Sequence, residues 1–369
     1  MRSIWEHANS QLRDLKVYEP GKPIEETARE LGSNASDIIK LASNENPLGP
    51  SPKALAAMRA TLECSHRYPD GGGFYLRDAL AKALGLAREN LILGNGSNEI
   101  IEFLGHVFLS PDDEVVTSQH AFVAYKLIAK VFGARTIEVP AIQYAHDLEG
   151  MLAAITPRTR EIFVANPNNP TGTLLRQQEI DRFVARVPED VVVIFDEAYY
   201  EYVEDPPDTL KFVRDGRNVV VLRTFSKIAG LANVRIGYGI ARPELIEIMQ
   251  KARQPFNTNG IAQAGALASL DDAEHREKTR RITDEGRAYL QEQFAAIGLE
   301  FVPSFGNFVL VNVGDGNATF KALLTKRIIV RALAGYDLNE WVRISVGTME
   351  QNRKCIAALQ EVLSTKRAA

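Results

Sequence analysis

Short runs of β-branched and aliphatic residues recur along this chain with amphipathic stretches between them, and that alternation limits the possible folds more than any other feature. The runs predict strands at 91–93, 114–118, 135–139, 161–165, 191–196, 219–223 and 235–240. Each is brief and mostly apolar on both faces, as strands of a buried parallel sheet are when helices cover both sides. After Pro243 the pattern changes. ELIEIMQKAR and the charged stretch 271–297 have helical spacing, 308–313 and 341–346 predict strands, and 318–326 predicts a helix between them. The chain is therefore expected to be α/β. A large part with a mostly parallel central sheet sandwiched by helices is joined to a smaller α+β part and an N-terminal arm. The divisions fall at 1–45 for the arm, 46–258 for the large part and 259–369 for the small one.

The 369 residues and 45% hydrophobic content suffice for two cores. A net charge of −4 gives no basic excess with which to meet nucleic acid or an anionic membrane. Cys64 and Cys355 are too few for a disulfide framework. His7, His66, His106, His120, His146 and His275 are never close in sequence, so no metal site is expected. The opening residues lack the apolar core of a secretory signal, and no apolar run approaches the ~18 residues of a membrane span. A cytoplasmic location is the expectation.

In an open parallel sheet, ligands bind beyond the carboxyl ends of the strands. Polar residues gather after four of the predicted strands. GNGSNE (Gly94 to Glu99) ends a strand and opens a helix, where free backbone N–H groups favour an anion. Glu99 stands where a dinucleotide-binding loop would have its third glycine, which disfavours hydride transfer; an ordinary turn with Ser97 or Asn98 as the helix cap is the plain alternative. ANPNNPTGT (Ala165 to Thr173) carries two Asn-Pro bonds, can hold a cis peptide and could equally be a simple turn. VVVIFDEAYYEY (Val191 to Tyr202) ends a doubly buried strand on Asp196, a costly place for a carboxylate unless a cation or several donors meet it. A salt bridge or a helix cap would also do.

TFSKIAGLANVRIGYG (Thr224 to Gly239) sets Lys227 among small and apolar residues, with Arg235 eight positions on. A lysine that is desolvated, or crowded by another cation, loses its proton readily and can attack a carbonyl carbon. Thr224, Ser226 and Arg235 suit a phosphate. Taken singly, Lys227 could merely snorkel to the surface. Together, a phosphate cradle, a buried carboxylate and a nucleophilic lysine are the parts needed to hold pyridoxal phosphate.

These residues, in this order, resemble the fold type I pyridoxal phosphate aminotransferases. VYEPGKP, LASNENPLGPSP, HRYPDGGGFYLRDALA, GNGSNEII, NPNNPTG, DEAYYEY, TFSKIAGLANVRIGYG, FGNFVLV and WVRISVGT cover nearly the whole chain. The resemblance implies that Lys227 carries the covalent link to pyridoxal 5′-phosphate and moves the substrate proton. It implies that Asp196 pairs with the ring nitrogen, that Asn169 and Tyr199 donate to the phenolic oxygen with Asn169–Pro170 cis, and that Phe122 stacks on the ring. Ser97, Asn98, Thr224, Ser226 and Arg235 would hold the phosphate, with Tyr68 reaching in from the second subunit of a homodimer. Tyr18, Arg331 and Arg343 fall at substrate-binding positions. The branch most resembled exchanges an amino group between histidinol phosphate and 2-oxoglutarate, giving imidazole-acetol phosphate and glutamate. Sister branches act on phenylalanine and tyrosine or decarboxylate threonine phosphate, and the same lysine and aspartate would serve them. A non-catalytic regulator would need a DNA-binding domain, for which about 45 residues leave too little room. The chain departs from the common pattern at Lys126, Ala229 and Asn233, none of them a catalytic group.

Overall fold

The computed structural model describes residues 3–13, 15, 17 and 21–368, with side chains to 365 in the last helix. Its centre is a seven-stranded sheet in the order Leu91–Gly94, Gly237–Ala241, Val219–Thr224, Val192–Asp196, Thr159–Ala165, Glu114–Ser118, Arg135–Val139. The strands pair in parallel from Val219–Thr224 outward to Arg135–Val139. Gly237–Ala241 departs from the expected direction, being antiparallel to both of its neighbours. Arg235 therefore precedes this strand at φ 60 instead of opening it. Edge strand Arg135–Val139 also departs from the expected burial, since Arg135 and Glu138 are exposed. One side of an edge strand has no partner to cover it, and charge there discourages pairing with another chain.

Alternation along the inner strands builds two cores, one on each side of the sheet. Val193, Phe195, Ile162 and Val164 face one layer of helices. Val192, Ile194, Phe163 and Ala165 face the other. Burying each larger side chain stabilises the fold by about 1.5–3 kcal/mol, so a doubly covered sheet has ample drive. Gly260–Leu270 packs on Pro52–Leu62, and its Ala262 and Ala266 join the first of these cores. It thus lies against the large body, although residue 259 opens the smaller part in the sequence-based division.

The smaller body has a four-stranded antiparallel sheet in the order Arg331–Leu333, Leu338–Ser345, Phe308–Asn312, Phe301–Val302. Helices Ala273–Ala296 and Met349–Ala368 cover it, burying Leu290, Phe294, Val309, Val311 and Leu359. The arm contributes helix Ile24–Leu31 and strand Ile39–Lys40, which pairs in parallel with Ile328–Ile329 of the smaller body. Among the described residues no helix is long and apolar enough to cross a membrane.

One core residue has no catalytic explanation. Glu161 is 0% exposed, and neither carboxylate oxygen has a hydrogen-bond partner. Burial, reinforced by repulsion from Asp113, pushes its pKa up to about 8. The unfolded chain ionises this group near its ordinary value of about 4.5, so the folded state loses stability as pH rises from there to about 8, and no more is lost above. Glu161→Gln is expected to raise the melting temperature most at and above pH about 8, by the equivalent of a few kcal/mol, and to leave it nearly unchanged in acid. Thermal denaturation of both proteins across pH checks this.

Candidate active site

All strands of the central sheet except Gly237–Ala241 run the same way, so their carboxyl ends share one edge with the amino end of the reversed strand. Five of the seven termini there deliver a polar side chain. Asn169 follows Thr159–Ala165, Asp196 ends its strand, and Lys227 follows Val219–Thr224. Arg235 precedes the reversed strand, and Ser97 opens helix Ser97–Phe108. These residues line one cavity of about 230 Å³ together with Asn98, Phe122, Tyr199, Thr224 and Ser226.

The acid end of the cavity is Asp196. Burial pushes its pKa up, while hydrogen bonds from Tyr125 (2.7 Å) and from the Ala198 backbone N–H (3.2 Å) favour its charged form. Tyr125 is fully buried, stacks on Phe163 at 4.4 Å and meets Phe122 edge-on at 5.7 Å. Lys227 Nζ donates to the Ser43 carbonyl at 3.3 Å and lies 5.5 Å from the Tyr199 ring centroid. Burial lowers its pKa to about 8, with Arg343 and Arg235 adding repulsion against the pull of Glu45 and Asp196. An amine of this kind is partly neutral near pH 8 and nucleophilic.

The opposite end is an anion cradle. Helix Ser97–Phe108 starts from Gly96 at φ 79 with no side-chain cap, so neither Ser97 nor Asn98 serves as the cap. A Cβ at Gly96 would lie 2.3 Å from Arg235 Nη2, and one at Gly237 would lie 2.4 Å from the Ser97 nitrogen. Only glycine lets the guanidinium and the helix start come this close. Ser226 N–H donates to Thr224 Oγ1 at 3.0 Å, and Arg235 Nη1 reaches Ser226 Oγ at 3.4 Å. Free first-turn N–H groups, two hydroxyls and an arginine form a donor set suited to a phosphate dianion.

Asn169–Pro170 is cis, as is Asn166–Pro167. The Asn169 side chain accepts a hydrogen bond from Arg343 Nη1. Arg343 is 7% exposed, and its Nη2 donates to the Ala42 carbonyl at 2.6 Å. Arg331 sits opposite Arg343 in the antiparallel pair, but it lines a separate cavity of about 780 Å³ with Lys22, Phe320 and Tyr336. Tyr68 is 82% exposed and stacks on Phe256 at 4.7 Å, outside both cavities. Tyr18 lies outside the described residues. Lys126 pairs with Glu138 on the adjoining strand.

Sequence reasoning gave no role to Tyr125, Ser43, Asn44 or Ser345. Tyr125 stands three positions after Phe122, in the first turn of helix Ala124–Val131 just beyond the loop that carries Phe122, and that nearness is the signal. Asn44 and Ser345 lie 301 residues apart and had none.

With this geometry in place, comparison with known proteins is decisive. Residues 36–359 match the family model for aminotransferases of class I and II, and the chain belongs to that family. The histidinol-phosphate aminotransferase of Akkermansia muciniphila is 53% identical over 98% of this chain and 100% of its own length. That of Moorella thermoacetica is 49% identical over 96% of this chain and 92% of its own. The crystal structure of histidinol-phosphate aminotransferase from Sinorhizobium meliloti in complex with pyridoxal-5′-phosphate superposes with a TM-score of 0.89 at 29% identity, covering 97% of this chain and 98% of that one. The architecture is the fold type I arrangement expected from the sequence.

Lys227 should stand apart from other lysines in reactivity. In cofactor-free protein, its acylation by a neutral amine-directed reagent should rise with a midpoint at pH about 8, more than two units below an ordinary lysine at about 10.5. Peptide mapping of the labelled protein measures this, and a midpoint near 10 would show that Lys227 is solvated.

Proposed function

We propose that this chain is the pyridoxal phosphate-dependent aminotransferase that interconverts histidinol phosphate and 2-oxoglutarate with imidazole-acetol phosphate and glutamate. The observation that carries the reading is one cavity holding a desolvated lysine, a buried carboxylate and a glycine-built anion cradle. Near-full-length identity to enzymes that bear this name supports the substrate.

When bound, pyridoxal phosphate supplies a carbonyl carbon for the lysine and a ring that accepts electrons. On this reading the Ser97 and Asn98 backbone, Thr224, Ser226 and Arg235 hold its phosphate. Asp196, whose charged form Tyr125 favours against burial, would hold a proton on the ring nitrogen. Asn169 and Tyr199 donate to the phenolic oxygen, and Phe122 packs on the ring face. Lys227 in its neutral form would take the proton from the substrate Cα and deliver it to the cofactor's C4′, a 1,3 shift, as a positioned general base then acid. The arm, large and small parts are the proposed functional units, with the division at 45 kept and helix Gly260–Leu270 counted with the large part on which it packs.

Arg343, at the cofactor cavity, is the proposed reader of the substrates' anionic ends; Arg331, which lines the neighbouring cavity, and Tyr18 stay as the further substrate-binding candidates that the resemblance implies. A guanidinium fork meets carboxylate or phosphate equally well, which lets one pocket serve glutamate and histidinol phosphate in turn. Arg343→Lys is expected to weaken both half-reactions by ~2–4 kcal/mol in transition-state stabilisation. Single-turnover absorbance changes with histidinol phosphate, glutamate, phenylalanine and tyrosine test this and rank the substrates. A faster half-reaction with phenylalanine or tyrosine than with histidinol phosphate would move the assignment to an aromatic aminotransferase.

We propose a cytoplasmic homodimer, and the exposed Tyr68 supports the pairing, in which this tyrosine would complete the partner's phosphate site. Such an interface would bury more than ~2,000 Å². Dilution into the monomer range should abolish activity, as followed by sedimentation and assay together. Full activity in the monomer would exclude shared sites.

A further inference from the structure

Four successive carbonyls of the arm are gripped from the two bodies. Leu41 accepts from the Ser345 backbone N–H (2.9 Å), Ala42 from Arg343 (2.6 Å), Ser43 from Lys227 (3.3 Å) and Asn44 from Asn307 Nδ2 (3.0 Å). The last of these residues, Asn44, is 1% exposed and sits at φ 54, a region that asparagine tolerates better than most residues. Its backbone N–H donates to Ser345 Oγ at 2.8 Å, and Ser345 Oγ–H donates to Asn44 Oδ1 at 2.9 Å. That exchange fixes the amide plane. Asn44 Nδ2 is thereby turned to the Tyr199 hydroxyl, to which it donates at 2.9 Å.

The direction of each bond matters. A phenolic oxygen that accepts from an amide keeps its own hydrogen for another acceptor. Tyr199 is 4% exposed and lines the cavity, so that hydrogen is available on the cavity side. Burial raises the pKa of the Tyr199 hydroxyl; of the charged groups facing it, Asp196, Lys227 and Arg343, Arg343 favours loss of its proton while Asp196 opposes it.

We propose that Asn44 and Ser345 are positioning residues for the transamination reaction: a hydrogen-bond relay from the smaller body that holds Tyr199 as an obligate donor toward the cofactor's phenolic oxygen. This rests on the cofactor reading above. A donor at that oxygen favours the form of the bound chromophore in which the oxygen is most negative, the deprotonated one, and so lowers its titration midpoint. Any change that takes the donor away raises it.

The test is a pH titration of the holoenzyme's visible absorption band. Tyr199→Phe should raise the midpoint by about one pH unit. Asn44→Asp keeps the size and the backbone tolerance of asparagine but, ionised, can only accept, so it should draw the Tyr199 hydrogen to itself and raise the midpoint comparably. Ser345→Ala, which changes no charge, should raise it by a smaller amount through a loosened amide. The double variant Asn44→Asp/Tyr199→Phe should titrate like Tyr199→Phe alone, because both changes remove one donor. Additive shifts, as a bare carboxylate field would give, overturn the relay. So does an unchanged midpoint in Asn44→Asp when Tyr199→Phe moves it. No shift in Tyr199→Phe itself would instead remove the underlying placement of the cofactor, and the relay with it.

Discussion

Withdrawing Asp196 and Arg343 wholly, and Lys227 in part, from water within one neighbourhood is the constraint on which the rest of this structure depends. A buried carboxylate or ammonium costs several kcal/mol unless opposite charge and hydrogen bonds meet it. Each member of this group is met. Asp196 receives Tyr125 and a backbone N–H, Lys227 reaches the Ser43 carbonyl, and Arg343 is tied to Ala42 and Asn169. The apolar layers on both faces of the sheet keep solvent from the strand ends, so these partners act in a low dielectric. The same dryness draws the pKa of Lys227 down to about 8 and pushes that of Asp196 up.

Much of this was legible in the sequence because it is written locally. Doubly apolar runs mark buried strands, and a lone Asp or Lys at the end of such a run marks the carboxyl edge, as at Asp196 and Lys227. Direction is not written locally. Gly237–Ala241 has the same apolar character as its neighbours, and nothing within five residues says that it runs backwards. The information lies in what the preceding connection lacks. Strand Val219–Thr224 returns to its neighbour after the stretch 225–236, which holds no helix, whereas a parallel return usually runs through a crossover helix. Exposure of Arg135–Val139 was equally hidden, because edge position is a property of the whole sheet order. Contacts such as Asn44 to Ser345 join residues 301 apart and leave no local trace.

The reversed strand has a consequence for the cradle. Had Gly237–Ala241 run parallel, Arg235 would lie at the far edge of the sheet, away from Ser97, Thr224 and Ser226. Running antiparallel, it brings its amino end beside their carboxyl ends, and Arg235 at φ 60 turns its guanidinium back to Gly96. Gly96 and Gly237 are the local adjustments that this approach requires. Topology, backbone conformation and the lack of two side chains thus serve one purpose, the gathering of positive potential at a helix start.

The donors that face the cavity are oriented from outside the large body. Asn169 belongs to the loop after Thr159–Ala165, yet its Oδ1 is claimed by Arg343 of the smaller body, which leaves its Nδ2 hydrogens for the cavity. Tyr199 follows strand Val192–Asp196, yet its oxygen is claimed by Asn44, itself fixed by Ser345. Arg343 and Ser345 are two residues apart on one strand, so their side chains leave the same face of the small sheet. A single rigid element therefore sets the polarity of both groups. In the proposed chemistry, the strand that reads the substrate's anion through Arg343 is also the strand that aims the two donors at the cofactor oxygen. Displacing that strand would disturb substrate binding and donor geometry together, which makes correct docking of the smaller body a condition for a competent site.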